Sequence, residues 1–202
     1  MDRSLIKMRR FLLCSVLVVM LARPAFPSSI SWQADMTTTV ISSTGRSIAS
    51  TGKIYVQGSQ VRFEPENADE IDLYNFDQMK NLRLFPSDRI YFENRLTPAR
   101  RIKAVQEGWL SGGAPSREKR ILLREGTFKE ERARLYLFVF EEKGERLYSL
   151  RWMNADESAP LQIIYPASST ETVIIDYDHR RGETIDGSRF APPADFLSVH
   201  PY

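Results

Sequence analysis

Asp176, Asp178 and His179 are the residues whose types and spacing come nearest to a reactive set in this chain of 202 residues. Asp176 and Asp178 fall on one face of a strand, where they could act as paired carboxylates or ligate a hard cation. The same spacing arises without chemistry if Val173, Ile175 and Tyr177 are buried and both aspartates sit in water. No further ligands accompany them, so the second reading is adopted. Glu130-Glu131 and Glu141-Glu142 read likewise as solvated strand ends. The only other histidine, His200, lies two residues from the end. The single cysteine, Cys14, excludes a disulfide framework and thiolate zinc sites, which need paired or clustered cysteines. Neither a G-x-S-x-G elbow nor H-E-x-x-H, a Walker lysine loop or G-x-G-x-x-G occurs. The expectation is a protein that is not an enzyme, with no catalytic residues, no metal and no cofactor.

Two other segments invite anion binding. Gly108-Trp109-Leu110-Ser111-Gly112-Gly113 could cradle a phosphate in backbone amides, but it follows a helix instead of opening one, so no helix N-terminus points at the anion. It reads as a hinge or linker. Lys119, Arg120, Arg124, Lys129, Arg132 and Arg134, beside Tyr136 and Phe138, form the densest basic stretch. Glu118, Glu125, Glu130 and Glu131 are interspersed among them, which makes a mixed-charge outer face and argues against a nucleic-acid partner.

The elements that carry these residues alternate with period two. Ile30, Trp32, Ala34, Met36, Thr38 and Val40 line one face of a long strand, and Thr44-Gly45-Arg46 turns the chain back. Further strands are predicted over 48–57, 60–64, 70–75, 80–85 and 89–93, joined by turns rich in Pro, Asn, Asp and Ser. The rhythm then changes. Thr97 is a good N-cap, Pro98 suits the first helical position and Gly108 can end the helix, so 97–107 reads as about three turns. Pro98, Ile102, Val105 and Trp109 fall on its apolar stripe. Strands resume over 120–124, 127–142, 146–154, 161–165 and 171–178, followed by coil through Pro192-Pro193. Leu135, Leu137 and Val139 alternate with Tyr136, Phe138 and Phe140, so that strand is apolar on both faces and needs cover on each. About ten strands with one helix predict a mainly β (α+β) fold whose wide antiparallel sheet curls into an incomplete barrel.

A composition of 42% hydrophobic and 27% charged residues suits one ordinary domain. Residues 1–28 are expected to be a signal peptide, and 29–202 a single domain. Arg3, Lys7, Arg9 and Arg10 precede the apolar run Phe11–Ala22, which falls well short of the ~20 residues that span a bilayer as a helix. Ala25 and Ser28 suit cleavage, but Arg23 and Phe26 sit two residues before them, so an uncleaved anchor stays open. Removing residues 1–28 takes five of the 28 Lys/Arg and one of the 26 Asp/Glu, leaving a slightly acidic, Cys-free domain. Such a domain suits a bacterial periplasm, reached across the inner membrane of a Gram-negative cell.

Trp32-Gln33-Ala34-Asp35-Met36, Gly52-Lys53-Ile54-Tyr55-Val56, Val61-Arg62-Phe63-Glu64, Asp72–Asp77, Leu84-Phe85-Pro86 and Leu96-Thr97-Pro98-Ala99 occur in an order and spacing that resemble the outer-membrane lipoprotein-sorting, LolA-like family. Pro160–Ile164, the strand to Tyr177 and Asp186–Pro193 resemble its closing sequence. The two-helix element that opens the true carriers is shortened or absent before Trp32. The resemblance implies an unclosed β-barrel with a short helical lid and a hydrophobic cavity that receives lipoprotein acyl chains or lipid. Under it, Trp32, Met36, Ile54, Phe63, Leu73, Leu84, Phe92, Leu137 and Trp152 would line the cavity. Pro98, Ile102, Val105 and Trp109 would form the lid, and Arg62 would hydrogen-bond it closed. Each buried CH₂ contributes about 0.8 kcal/mol, so acyl binding needs no charged anchor. A monomer is expected, with inner- or outer-membrane envelope proteins as further partners. The alternative function on the same fold is an envelope-stress or partner-binding sensor that transfers no lipid.

Overall fold

The computed structural model describes residues 31–110, 117–142, 145–179 and 184–200. The expected signal segment and the Ser111–Ser116 linker lie outside them. The described chain forms one sheet of twelve strands in the order β12-β6-β5-β4-β3-β2-β1-β11-β10-β9-β8-β7. Strands β1 (Ser31–Ser42), β2 (Gly45–Gln57), β3 (Gln60–Pro65), β4 (Ile71–Asn75), β5 (Lys80–Phe85) and β6 (Ile90–Arg95) form a meander. A helix, α1 (Pro98–Gln106), interrupts it. Strands β7 (Arg117–Phe128), β8 (Glu131–Glu142), β9 (Glu145–Asn154), β10 (Pro160–Pro166) and β11 (Thr172–His179) then return the sheet to β1, against which β11 pairs. All neighbours are antiparallel except β12 (Leu197–Val199), which lies parallel to β6.

Two sequence expectations are corrected. The apolar run over 127–142 is not one strand: the chain reverses at Lys129-Glu130, both at positive φ (51° and 66°), and Phe128 pairs with Glu131. A two-residue hairpin needs that left-handed backbone and is usually marked by Asn or Gly. Lys-Glu gives no such signal. The C-terminal coil also ends in β12, whose three residues are too few to show a period.

The sheet curls around α1 without closing. Trp109, just past the helix, lies against Phe63 of β3 and Tyr74 of β4 while its indole N–H reaches Tyr177 of β11. Val105 of the helix packs among Tyr136, Phe138 and Phe140 of β8 and Met153 of β9. Strands distant in the sheet order can meet one helix only across a concave face. The main core sits there, with Trp32, Ala34, Met36, Ile54, Val56, Val61, Ile163, Val173, Ile175 and Tyr177 buried together. The outer face of the β2–β6 half is crossed by the C-terminal segment: Arg189 lies over the Tyr55 ring and its carbonyl accepts from Arg62, before the chain joins β6. Among the described residues no helix is long and apolar enough to cross a membrane.

Candidate functional site

Helix α1 is short, so its ends matter more than its propensity. Thr97 caps the N-terminus, its Oγ1 accepting from the Arg100 amide at 3.2 Å, and Pro98 opens the first turn where no amide is needed. At the other end Gly108 adopts φ +71°. The Gly108 amide donates to Val105 and the Trp109 amide to Ala104, the paired closure of a Schellman motif. A side chain at Gly108 would be strained by its backbone and would also meet Ile163, since a Cβ there falls 2.4 Å from Cδ1. The motif turns Trp109 into the concave core, where it is 4% exposed.

Polar contacts from three parts of the sheet seat this end of the helix. The Tyr177 hydroxyl donates to the Glu107 carbonyl at 2.6 Å and accepts from the Trp109 indole at 3.2 Å. Arg101 donates to the Phe76 carbonyl at 2.9 Å. Arg100 spans the helix to Glu107 at 2.9 Å and lies over the rings of Tyr74 and Trp109. Arg151 of β9 donates through Nη2 to the Val105 carbonyl and through Nε to Ser149 Oγ at 3.0 Å. Its guanidinium stacks 4.1 Å from the centre of Phe138 and 5.0 Å from that of Phe140. A cation at the C-terminal end of a helix faces the negative end of its dipole. Burial nonetheless dominates: it pushes the Arg151 pKa down to about 10, although the Glu118 carboxylate favours the charge. Burial also raises the Tyr177 pKa well above 10 and that of Tyr74 to about 12.

The expected lining residues divide between the two faces. Trp32, Met36, Ile54 and Phe63 meet Trp109 in the concave core. Leu73 and Leu84 are buried on the opposite face: Leu73 pairs across from Arg62 and Leu82, whereas its neighbour Tyr74 points into the core. Trp152 stacks on Phe128 at 5.0 Å in a separate outer cluster with Ala133 and Leu161, and Leu137 shares that outer parity. Phe92 packs edge-on to Phe85 on an outlying strand. Of the expected lid residues, Val105 and Trp109 are buried, Ile102 is half-buried and Pro98 is exposed; Ala104 and Leu96 take the remaining inward positions. Arg62 faces away from the helix, bonding Glu64 at 2.6 Å and the Arg189 carbonyl at 2.9 Å. The helix is instead held by Arg101, Arg151 and Tyr177. Sequence reasoning missed Arg151, although its place between Ser149 and Met153 on the inward parity of β9 was a usable signal.

The other sequence candidates sit elsewhere. Asp176 and Asp178 lie on the outer face, both held by Lys129, with Gln162 also donating to Asp176. His179 bonds the Pro160 carbonyl and packs edge-on to Trp32. In the basic stretch, Arg120 and Arg134 pair with Glu157, and Arg134 also with Glu125. An open, mixed-polarity cleft of about 800 Å³ lies at one end of the sheet, lined by Trp32, Gln33, Arg132, Asn154, Asp156 and His179 among others.

No protein-family profile and no curated protein matches the chain. Solved structures with a similar fold include an uncharacterized conserved protein from Thermus thermophilus, 10% identical, covering 86% of this chain and 91% of that one with a TM-score of 0.50. A LolA superfamily protein from Nitrosomonas europaea is 12% identical over 81% of this chain and 90% of that one, TM-score 0.42. The Pseudomonas aeruginosa MucA/MucB complex is 13% identical over 84% of this chain and 58% of that one, TM-score 0.46. At these identities the likeness is one of fold. An unclosed, strongly curved antiparallel sheet with one short helix in its hollow is the LolA-like architecture that the sequence resemblance implied.

Proposed function

We propose that the protein is an exported periplasmic binding protein that holds lipoprotein acyl chains or lipid between the concave sheet face and α1, in outer-membrane lipoprotein sorting or envelope lipid transport. The observation that carries this reading is the nature of the cover. A hollow lined by Trp32, Met36, Ile54, Phe63 and Ile163 is closed by one nine-residue helix and Trp109, seated through contacts to Tyr177, Phe76 and Arg151. Lifting that end of the helix withdraws Trp109 and Val105 and uncovers a continuous apolar surface, the kind of concave site that takes apolar ligands. In the closed form Trp109 occupies the space an acyl chain would take. Residues 1–28 serve as the export signal in this account. Mass spectrometry under native conditions tests it: protein prepared from the periplasm carries added mass matching a lipid. Preparations free of lipid that also fail to take up a fluorescent fatty acid would sink the proposal.

A second reading, a partner-binding sensor without lipid transfer, is favoured by the β7 edge. Among the described residues β7 pairs only with β8, and Ile121, Leu122 and Leu123 on it are 39%, 48% and 51% exposed. Such an edge can accept a strand from an envelope protein. Crosslinking through β7 that survives replacement of Trp109 would support this reading over the first.

A further inference from the structure

Arg151 is 4% exposed, and its buried guanidinium lies over the rings of Phe138 and Phe140. Among the described residues its hydrogen-bond partners are the Val105 carbonyl and the Ser149 hydroxyl, both uncharged. Glu118 acts on it through space alone. A cation taken from water without a bonded counter-ion costs several kcal/mol even after relaxation, and an apolar side chain of similar volume would avoid that cost. As a hook for the helix alone, arginine is an expensive choice, since any neutral donor could reach Val105. Its planar fork of N–H groups suits an oxyanion far better than a carbonyl.

We propose that Arg151 binds the anionic head group of the ligand, a carboxylate or phosphate on an acyl chain, which replaces the Val105 carbonyl when the end of α1 lifts. This rests on the acyl-binding reading above and names the ligand class for it: an anionic amphiphile instead of a neutral acyl chain. The placement is consistent chemically. Ser149 Oγ sits beside the guanidinium and can donate to the same oxyanion. Met153 and Leu147 of β9 continue the apolar wall from the Phe138 and Phe140 rings after the helix end has moved, so a chain leaving the head group stays against the sheet. The exchange also links binding to opening. The anion supplies the full counter-charge that the carbonyl gives only in part, so it favours the form in which the helix has moved away. The anchor absent from the sequence expectation is thus a single strand residue.

The test compares oleate, oleoyl lysophosphatidate and methyl oleate, which share one chain, by calorimetric titration of the purified protein at pH 8, with inorganic phosphate as the free anion. At least a tenfold preference for either anionic lipid over methyl oleate is expected, and the lipid preferred identifies the head group. In Arg151→Met the preference should fall to about unity while methyl oleate binding is retained. Should Arg151→Met not fold, the wild-type comparison decides alone. Equal affinity for all three lipids overturns the proposal and leaves the acyl-binding reading intact. Inorganic phosphate binding as tightly as the lipids also overturns the proposal, since the site would then read a free anion and the chain would add nothing. Binding of none of them overturns the acyl-binding reading, and the proposal with it.

Discussion

Tyr177→Phe probes the seating of the helix with one atom. The hydroxyl is buried, donates to the Glu107 carbonyl at 2.6 Å and accepts from the Trp109 indole at 3.2 Å. Phenylalanine keeps the ring and its edge-on contact with Trp32. What is lost is the shared partner of two buried groups, because Glu107 and Trp109 are 7% and 4% exposed. Each buried polar group left unsatisfied costs about 1–3 kcal/mol, so the two together cost about 2–6, and losing the hydroxyl's own desolvation returns part of that, leaving about 2–4 kcal/mol. Where the cost appears is informative. If the helix end stays seated, guanidinium unfolding shifts by that amount with an unchanged slope. If it lifts to find water, global stability changes less, while hydrogen exchange at the Gly108 and Trp109 amides accelerates at least tenfold and Trp109 emission moves to the red. Stability within 0.5 kcal/mol of wild type together with unchanged exchange at both amides would refute the idea that Tyr177 seats the helix.

Gly108→Ala should cost about 2–3 kcal/mol in denaturant unfolding, from a left-handed backbone and a Cβ 2.4 Å from the fully buried Ile163. Gly126→Ala, with nothing within 4 Å of its Cβ, is the control and should fall within about 0.5 kcal/mol. Gly52→Ala should be worse than either, since its Cβ would lie 2.4 Å from the Glu64 carbonyl oxygen, a backbone atom that cannot swing aside; loss of soluble protein or a drop above about 3 kcal/mol is expected. In alkali, Tyr74 and Tyr177 have folded pKa values raised above the unfolded value by burial, so the stability they supply is complete below pH 10 and is lost as pH rises above it, through about 12 for Tyr74. Arg151 acts in the opposite sense, its folded pKa of about 10 lying below the unfolded 12.5, so its cost is relieved over that interval. With Tyr165 also raised by burial, the tyrosines prevail. Unfolding midpoints should fall above pH 10, with absorbance at 295 nm showing these rings ionising only as the fold is lost.

How far residues announced this architecture depended on the range of the interaction involved. Strands β1 to β6 show a period of two with conventional turn residues, and α1 carries its caps in Thr97, Pro98 and Gly108, all local signals. The β7–β8 reversal at Lys129-Glu130 was hidden because the turn is imposed by pairing along both strands and not by residues that favour positive φ. The candidate site was half legible. Alternation shows that Tyr74 and Leu73 oppose one another, but which faces the helix depends on how the sheet curls and where the C-terminal segment lies, so nothing local tells that Leu73, Leu84, Leu137 and Trp152 fall on the outer face. Arg62 and Arg151 are both arginines within strands. Only the fold shows that the first serves the C-terminal segment and the second the helix.

The central claim is that the hollow beneath α1 accepts an acyl chain when Trp109 leaves it. Energy transfer to an anthroyloxy-labelled fatty acid from Trp109, as sole donor in a Trp32→Phe, Trp152→Phe background, tests it directly. The account predicts saturable transfer at one probe per protein, with a change in Trp109 emission at the same midpoint. Saturable probe binding that leaves Trp109 emission unchanged, or no saturable binding at all, would contradict it.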